Sequence, residues 1–375
     1  MPDYVMAGAS LIEDIPQFVE AAGQAGMAVL LLENAAMSAH IPAQHRSLVT
    51  CSEDIPSISA PVIPLNEFWV SRAIRVGVAN ISPHALRASR SKHYLSERLA
   101  VCGLPALPRC YLEDVATPHP DRYLARLDAA YSGYGIVRYV EAGRFDPIAI
   151  ARAVQGEAGR TMRAVLDEDA ARVVVENYLE GEEYSADVFV RQGQPVVLRL
   201  FRKIVSWIGG RPVCDSYIAV PHDPALCAAL QDWCAALYSA SCTSFGQFDI
   251  IVVGGRAVAV DFSCRIGGGL GAIKRFAGIA SYTALALAGG VPSFVPFTVQ
   301  KNVLARRPGR LVNFSCQVPQ AYQMTVHKQA GDLLPDNICS VNARIAEICF
   351  VARNLDDATD IVHALDDKVS IDVQD

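Results

Sequence analysis

The chain has 375 residues, 51% of them hydrophobic and 19% charged, with a formal net charge of −6. That length exceeds one ordinary core and predicts two or three domains, and the composition excludes a disordered chain. The acidic balance, with no long basic run, argues against nucleic acid as a partner, and no apolar stretch reaches the roughly 18 residues of a membrane helix.

Eleven cysteines occur without CxxC spacing. They read as reduced thiols, most of them small buried apolar residues. The N-terminus lacks a basic n-region, so a cytoplasmic protein is expected. The eight histidines form no ligand-spaced cluster.

The predicted elements open with a strand at 4–8, a helix at 13–26 and a strand at 27–34, the βαβ start of a parallel sheet. Only Gly8-Ala9-Ser10 follows the first strand, so a GxGxxG dinucleotide site is weakly supported. A further strand is expected at 58–65. Residues 91–110 read as a helix ended by Gly103 and Pro105. Two strands within 121–140 flank a loop carrying Gly133 and Gly135. Another pair within 171–190 flanks Glu180-Gly181, and 195–205 continues a sheet. An amphipathic helix spans 223–241. After a proline-rich break at 291–297 come strands near 311–318 and 345–351 and a helix at 355–367.

The segment GQFDIIVVGGRAVAVDFSCRIGGG (246–269) carries the chemistry. Two apolar runs flank Gly254-Gly255, with Asp249 in the first and Asp261 closing the second. Side chains alternate faces along a strand. A bare two-residue turn pairs Asp249 with Val260 and sends the acids to opposite faces. A three-residue loop, or a one-residue bulge, sets Asp249 opposite Asp261, with Ser263 and Arg265 continuing that face. Carboxylates about 5 Å apart repel by roughly 3 kcal/mol at an effective dielectric near 20. They can point apart, take up a proton, pair with Arg265, or hold magnesium, which accepts one or two carboxylates plus phosphate oxygens. The glycine run lets backbone N–H groups approach an anion, and Arg265 is a forked donor. Upstream, ENYLEGEE (176–183) joins two apolar strands and carries several acids.

The order SKHYL, glycine loop, ENYLEGEEYSADVFV, then GQFDIIVVGGRAVAVDFSCRIGGG resembles the ATP-grasp superfamily over roughly residues 90–300. Within it the carboxylate–amine (amino acid or peptide) ligase branch is most similar. The resemblance implies an α/β fold, α+β in the nucleotide-binding half. A Rossmann-like N-terminal domain (1–88) would precede a small lid subdomain (89–170), a large subdomain with the metal hairpin (171–300) and a small C-terminal α/β domain (301–375). It implies ATP and Mg2+ as ligands, small-molecule carboxylate and amine substrates, and a homodimer.

Position by position, the resemblance makes Lys92 a phosphate contact and Ser132, Gly133, Tyr134 and Gly135 the loop that closes over the phosphates. Glu176, Tyr178 and Leu179 would line the adenine slot, and Glu183 would accept from the ribose. Lys203 would be a further phosphate contact. Asp249 and Asp261, with Ser263, would hold magnesium. Arg265 would stabilise an acyl phosphate or hold the acceptor, and the backbone at Gly267, Gly268 and Gly269 would approach the reacting carboxylate. The sequence departs from the family where Glu-x-Asn-x-Arg becomes Asp261-Phe262-Ser263-Cys264-Arg265. It departs again where the usual Lys-Pro strand reads Leu124-Ala125-Arg126-Leu127, so that either Arg126 takes the lysine's place or nothing does. The expected activity is ATP-dependent amide formation. The alternatives are cyclisation or a non-amine acceptor, or a nucleotide-binding regulatory protein with an impaired site.

Overall fold

The computed structural model describes all residues except 13, 116–122, 130–136, 140–145, 167–171, 209–210, 269, 280, 336–342 and 375, and the backbone alone at 137–139, 157–166 and 211. Its first sheet is parallel and four-stranded, β1 (Tyr4–Ala7), β2 (Val29–Glu33), β3 (Thr50–Cys51) and β4 (Val62–Pro64), in the order β3-β2-β1-β4. Helix α1 (Ile15–Gln24) connects β1 to β2, with the Asp14 carboxylate accepting from the Gln17 amide and a proline in the first turn. The expected strand–helix–strand start is therefore present. The turn after β1 closes on protein, because Ser10 donates from its amide (3.0 Å) and its hydroxyl (2.5 Å) to the buried carboxylate of Glu33.

Four helices follow, α2 (Ala35–Ser38), α3 (Glu67–Val76), α4 (Pro83–Arg90) and α5 (Lys92–Val101). The last three start on side-chain caps from Asn66, Ser82 and Ser91. The helix expected at 91–110 ends nine residues early. Gly103 turns left-handed at φ +72, and Pro105 and Pro108 cannot continue a helix. Residues Arg109–Tyr111 form β5 instead. With β6 (Tyr123–Leu127), β7 (Val137–Tyr139) and β8 (Val173–Asn177) it makes a second, antiparallel sheet ordered β5-β8-β6-β7, packed on α6 (Pro147–Leu166) through Ile150 and Val154.

The strand pair expected at 171–190 is not a hairpin. β8 is the small sheet's last strand in chain order and β9 (Glu182–Arg191) belongs to a large one, so 178–181 is the connection between sheets. The large sheet continues with β10 (Gln194–Ile208), β11 (Arg211–Ala219), β12 (Thr243–Val253), β13 (Arg256–Ser263) and β14 (Thr298–Leu304). The tail supplies β15 (Gly309–Cys316), β16 (Gln323–Val326), β17 (Leu333–Leu334), β18 (Arg344–Val351) and β19 (Val369–Gln374). The large sheet is eight-stranded, ordered β13-β12-β9-β10-β11-β14-β18-β16, so it runs on past residue 300 into the tail. β17-β15-β19 is a separate three-stranded sheet. Helices α7 (Pro224–Leu237), α8 (Gly271–Phe276), α9 (Tyr282–Leu287) and α10 (Leu355–Asp366) complete the chain.

The two-residue period of the strands divides the large sheet into unlike faces. Ala186, Val188, Leu200, Phe248, Ile250 and Phe262 make the apolar face. They share one core with Leu230 and Trp233 of α7 and with Val5 and Trp69 of the N-terminal part. Burying each large side chain there contributes about 1.5–3 kcal/mol. The opposite face carries Arg199, Asp187, Gln247 and Ser263 in one cross-strand row, Ser185, Asp249 and Asp261 in the next, and Lys203 and Glu183 in the third. That polar face floors a cleft. Among the described residues no helix is long and apolar enough to cross a membrane, and the ten described cysteines are free thiols.

Candidate active site

Hairpin β12–β13 settles the two registers the sequence leaves open. Val253 pairs with Arg256 around Gly254-Gly255, both with positive φ (56 and 77), the backbone a two-residue hairpin turn requires. The register then shifts. Ile250 opposes Ala259 while Asp249 opposes Asp261, which leaves Val260 as a bulge. The bulge, rather than a longer loop, brings the acids face to face. The Val260 carbonyl accepts from Arg126 Nη2 (3.0 Å) and Arg109 Nη2 (2.5 Å), so two guanidinium groups hold the bulge in place.

Each aspartate faces a lysine. Asp249 Oδ1 lies 2.8 Å from Lys203 Nζ and accepts from Gln247 Nε2 at 2.9 Å. Asp261 Oδ2 lies 3.3 Å from the Nζ of Lys92, the first residue of α5, and 3.9 Å from Arg126 Nη1. Burial works against the Lys203 ammonium, but Asp249 and Glu183 outweigh it and hold its pKa above the usual range. Burial holds Lys92 below its usual range, with Arg126 and Arg109 opposing the pull of Asp261. Burial raises the Asp261 pKa, yet Lys92, Arg126 and Arg109 hold it below the usual value. Glu183 goes the other way, pushed up by burial and by Asp249.

Glu176 is buried in an ion-pair cluster. Its carboxylate accepts from Arg109 Nε at 2.5 Å and Arg126 Nη2 at 2.8 Å. Arg109 also donates to the Lys92 carbonyl and to Ser96 Oγ, both at 2.8 Å. The side chain of Glu176 therefore holds, within the small sheet, the two arginines that reach the Val260 carbonyl of the hairpin. Tyr178 and Leu179, on the connection that follows, line the cleft beside Val205, Trp207 and Val213.

Ser263 and Arg265 meet an acid that sequence reasoning missed. Glu67, in the first turn of α3 and 5% exposed, accepts at Oε1 from Ser263 Oγ (3.0 Å) and Arg265 Nε (2.7 Å). Its Oε2 lies 3.5 Å from Arg90 Nη1. Nothing in the local sequence marks it, since its partners stand 196 and 198 residues away. Asp187 and Arg199 were also missed, although they sit in phase with Asp249 inside apolar strands. Arg199 donates to Asp187 through Nε (2.7 Å) and Nη2 (3.0 Å), and Asp187 Oδ1 accepts from the Gly267 amide at 3.0 Å. A Cβ at Gly267 would stand 2.3 Å from Arg199 Nη2, whereas one at Gly268 would meet nothing within 4 Å. The steric need for glycine falls at Gly267, and Gly268 lines the open cleft. Ser132, Gly133, Tyr134, Gly135 and Gly269 lie outside the described residues.

The cleft holds about 320 Å3, within the range of ligand pockets. Lys92, Arg126, Glu176, Tyr178, Leu179, Glu183, Lys203, Asp249, Asp261, Ser263, Arg265 and Gly268 all line it. Two facing carboxylates are hard oxygen donors and suit magnesium. The Ser263 hydroxyl is directed at Glu67 instead. Among the described residues no group of three His, Cys, Asp or Glu side chains could hold a metal. The donor set thus fits an ion that takes two protein carboxylates and completes its shell with phosphate and water oxygens.

A parallel N-terminal sheet, a small antiparallel sheet and a large one, with a polar cleft floored by the large sheet, define the architecture. The solved structures that resemble it give that architecture a name. An L-amino acid ligase from Bacillus licheniformis is 14% identical, covers 99% of this chain and 98% of its own, and superposes with a TM-score of 0.68. The biotin carboxylase domain of a 2-oxoglutarate carboxylase from Hydrogenobacter thermophilus, in complex with magnesium ADP and bicarbonate, is 14% identical over 100% of this chain and 91% of that one (TM-score 0.62). A phosphoribosylglycinamide synthetase from Anaerococcus prevotii is 13% identical over 99% of each chain (TM-score 0.58). No protein-family model matches the sequence, and no curated protein matches it. These solved structures are ATP-grasp enzymes, and the chain has the ATP-grasp fold.

Proposed function

We propose that the chain is an ATP-dependent, ADP-forming ligase that joins a carboxylate to an amine through an acyl phosphate, with an amino acid among its substrates. The observation that carries this reading is the register of Asp249 against Asp261 on the floor of a cleft, each acid beside a lysine. The names of two similar structures, an L-amino acid ligase and a phosphoribosylglycinamide synthetase, support it.

In this reading Tyr178 and Leu179 flank the base and Glu183 accepts from the ribose. Lys92, Arg126 and Lys203 neutralise the phosphates. Asp249 and Asp261 would hold magnesium, which when bound offsets charge on the phosphate oxygens. Arg265, fixed by Glu67, binds the substrate carboxylate beside the Gly267-Gly268 backbone. A carboxylate oxygen attacks the terminal phosphorus and ADP leaves. The amine nitrogen then attacks the acyl carbon, phosphate leaves, and an amide forms. No side chain serves as nucleophile, so the protein's contribution is positioning, charge and exclusion of water.

Calorimetric titration of ATP with and without magnesium, on the wild type and on Asp261→Asn, tests the reading. Magnesium-dependent binding that the variant loses supports it, and ADP release with paired amino acids then completes the test. A second reading is favoured by the Ser263 hydroxyl, which points to Glu67 rather than along the metal face. It makes the chain a nucleotide-binding regulatory protein. It predicts ATP binding that ignores magnesium, and no ADP release with any acid–amine pair.

A further inference from the structure

Gln247 stands on the floor of the cleft, two residues before Asp249 on β12, and is half-buried. Strand alternation puts it on the face that carries Asp249. Its amide nitrogen is fully used. Nε2 donates to Asp249 Oδ1 at 2.9 Å and to Ser185 Oγ at 3.3 Å, and a glutamine amide has only two such hydrogens. An ionised carboxylate accepts and does not donate, so Asp249 fixes which way round the amide sits.

What remains is Oε1. Among the described residues no group donates to it, and it is not sealed in the interior. The acids at that end of the cleft are committed. Glu67 Oε1 takes Ser263 and Arg265. Asp187, 0% exposed, takes Arg199 on both oxygens, the Gly267 amide on one and the Tyr282 hydroxyl (3.2 Å) on the other. The glycine run then passes close over Gln247, where a Cβ at Gly267 would stand 3.1 Å from its Cγ. Gln247 thus lies between Asp249, which it bonds, and Gly267, which it touches. In the ligase reading those are the phosphate end and the carboxylate end of the reacting group.

We propose that Gln247 Oε1 receives an N–H of the amine nucleophile and so marks the amine's place in the cleft. This rests on the ligase reading and deepens it. In amide formation the nitrogen lone pair forms the bond to the acyl carbon. The bond from that carbon to the phosphate oxygen breaks, its electron pair leaves with phosphate, and the proton shed by nitrogen leaves with phosphate as well. A nitrogen free to turn points its lone pair in every direction. One N–H held by a fixed acceptor limits that turning, which is the orientation a step between two bound substrates needs. A carboxylate in this place would favour the ammonium form, which has no lone pair to give, and a neutral amide oxygen does so less.

The test starts from the acyl phosphate. Amino acids are offered singly with MgATP and hydroxylamine, a small nucleophile that turns an acyl phosphate into a hydroxamate read as its ferric complex. The amino acid giving most hydroxamate is then paired with others as amines, and ADP release is followed at saturating MgATP. Saturation fills the nucleotide site in every variant despite the lost bond to Asp249. In Gln247→Met, close in length and without the oxygen, KM for the amine should rise about tenfold, and KM for the carboxylate should stay within about twofold. Gln247→Asn, which withdraws the oxygen by one methylene, should show the same split and serves if the methionine variant does not fold. An unchanged amine KM, or equal rises for both substrates, overturns the proposal and leaves the ligase reading standing. Hydroxamate without amide from any amino acid amine also overturns it. Absence of both hydroxamate and ADP with every acid removes the ligase reading and this proposal together.

Discussion

Glu67 shows how one side chain ties the N-terminal part to the chemistry. Its Oε1 accepts from both Ser263 and Arg265, and Arg90 lies beside its Oε2. Burial alone would raise its pKa, but Arg265 and Arg90 hold it below the usual carboxylate value, so the group is ionised at neutral pH. Replacing a buried, paired carboxylate with a small apolar group leaves cations without their partner, at about 3–5 kcal/mol. Glu67→Ala should therefore lose about 3 kcal/mol in urea unfolding. Glu67→Gln, which keeps an acceptor oxygen, should lose markedly less. Equal losses in the two would mean that Glu67 acts through packing alone. Asp249 offers a companion case. With Lys203 at 2.8 Å, Asp249→Asn removes one of two metal-capable carboxylates while keeping the shape. Magnesium-dependent ATP binding should weaken at least tenfold by calorimetry, and unchanged binding would remove Asp249 from the metal site.

At the scale of elements, the glycine run after β13 separates two requirements that the sequence presents as one. A Cβ at Gly267 would press on Arg199 Nη2 and on Asp187 Oδ1, 2.9 Å away. Arg199 cannot yield, since it is 2% exposed and bonded to Asp187 and Ser185. Gly267→Ala should cost about 1–3 kcal/mol of stability by overpacking, and Gly268→Ala less than about 0.5 kcal/mol. Chemical denaturation of both variants checks the contrast. The same elements show what the sequence could disclose. The paired acids and Arg265 were legible because strand alternation is local. The bulge was not, because Gly254-Gly255 permits either register and the choice rests on Arg109 and Arg126, distant in sequence, holding the Val260 carbonyl. Asp187 and Arg199 were readable in principle, as charges recurring at period two inside apolar strands. The split of β8 from β9 was not, because β8 finds its partners in β5 and β6. Strands β3, β5, β11, β14, β16, β17 and β19 and helices α2, α3, α4, α6, α8 and α9 went unanticipated. Most are short or pair with strands far along the chain, which periodicity in a single segment does not report, whereas α6, 20 residues long, was readable in principle.

Across the whole molecule, buried ion pairs bind strands within a sheet, as Arg199 and Asp187 do in the large one, and tie separate elements together. Glu176 pairs with Arg109 and Arg126 inside the small sheet, and the two arginines reach across to the Val260 carbonyl of the β12–β13 hairpin. Glu67 and Arg265 join the N-terminal part to the large sheet. Lys301 of β14 holds Asp215 of the neighbouring strand β11 (2.6 Å) and Asp366 of α10 (2.7 Å), which ties the tail helix to the large sheet. This arrangement fixes how stability responds to acid. Burial alone would raise the pKa of Glu67, Glu176 and Asp261, yet neighbouring cations hold all three below their ordinary values of 4.5, 4.5 and 3.8. A carboxylate depressed in the folded state adds stability above its unfolded pKa, and that stability is lost as pH falls through the folded pKa. Glu183 has the opposite sign, because burial and Asp249 raise its pKa and its protonation favours the fold. Three depressed groups outnumber that one, so the melting temperature should stay level from neutral pH to about 5 and then fall steadily toward pH 3. Glu176→Gln should melt lower at pH 7, since Arg109 and Arg126 lose their counter-charge, and its decline below pH 5 should be shallower because one titrating group is gone. Melts followed by circular dichroism across that range decide the matter. A variant with the wild-type slope would mean that acid acts elsewhere, and that Arg109 and Arg126 hold the Val260 carbonyl without the charge of Glu176.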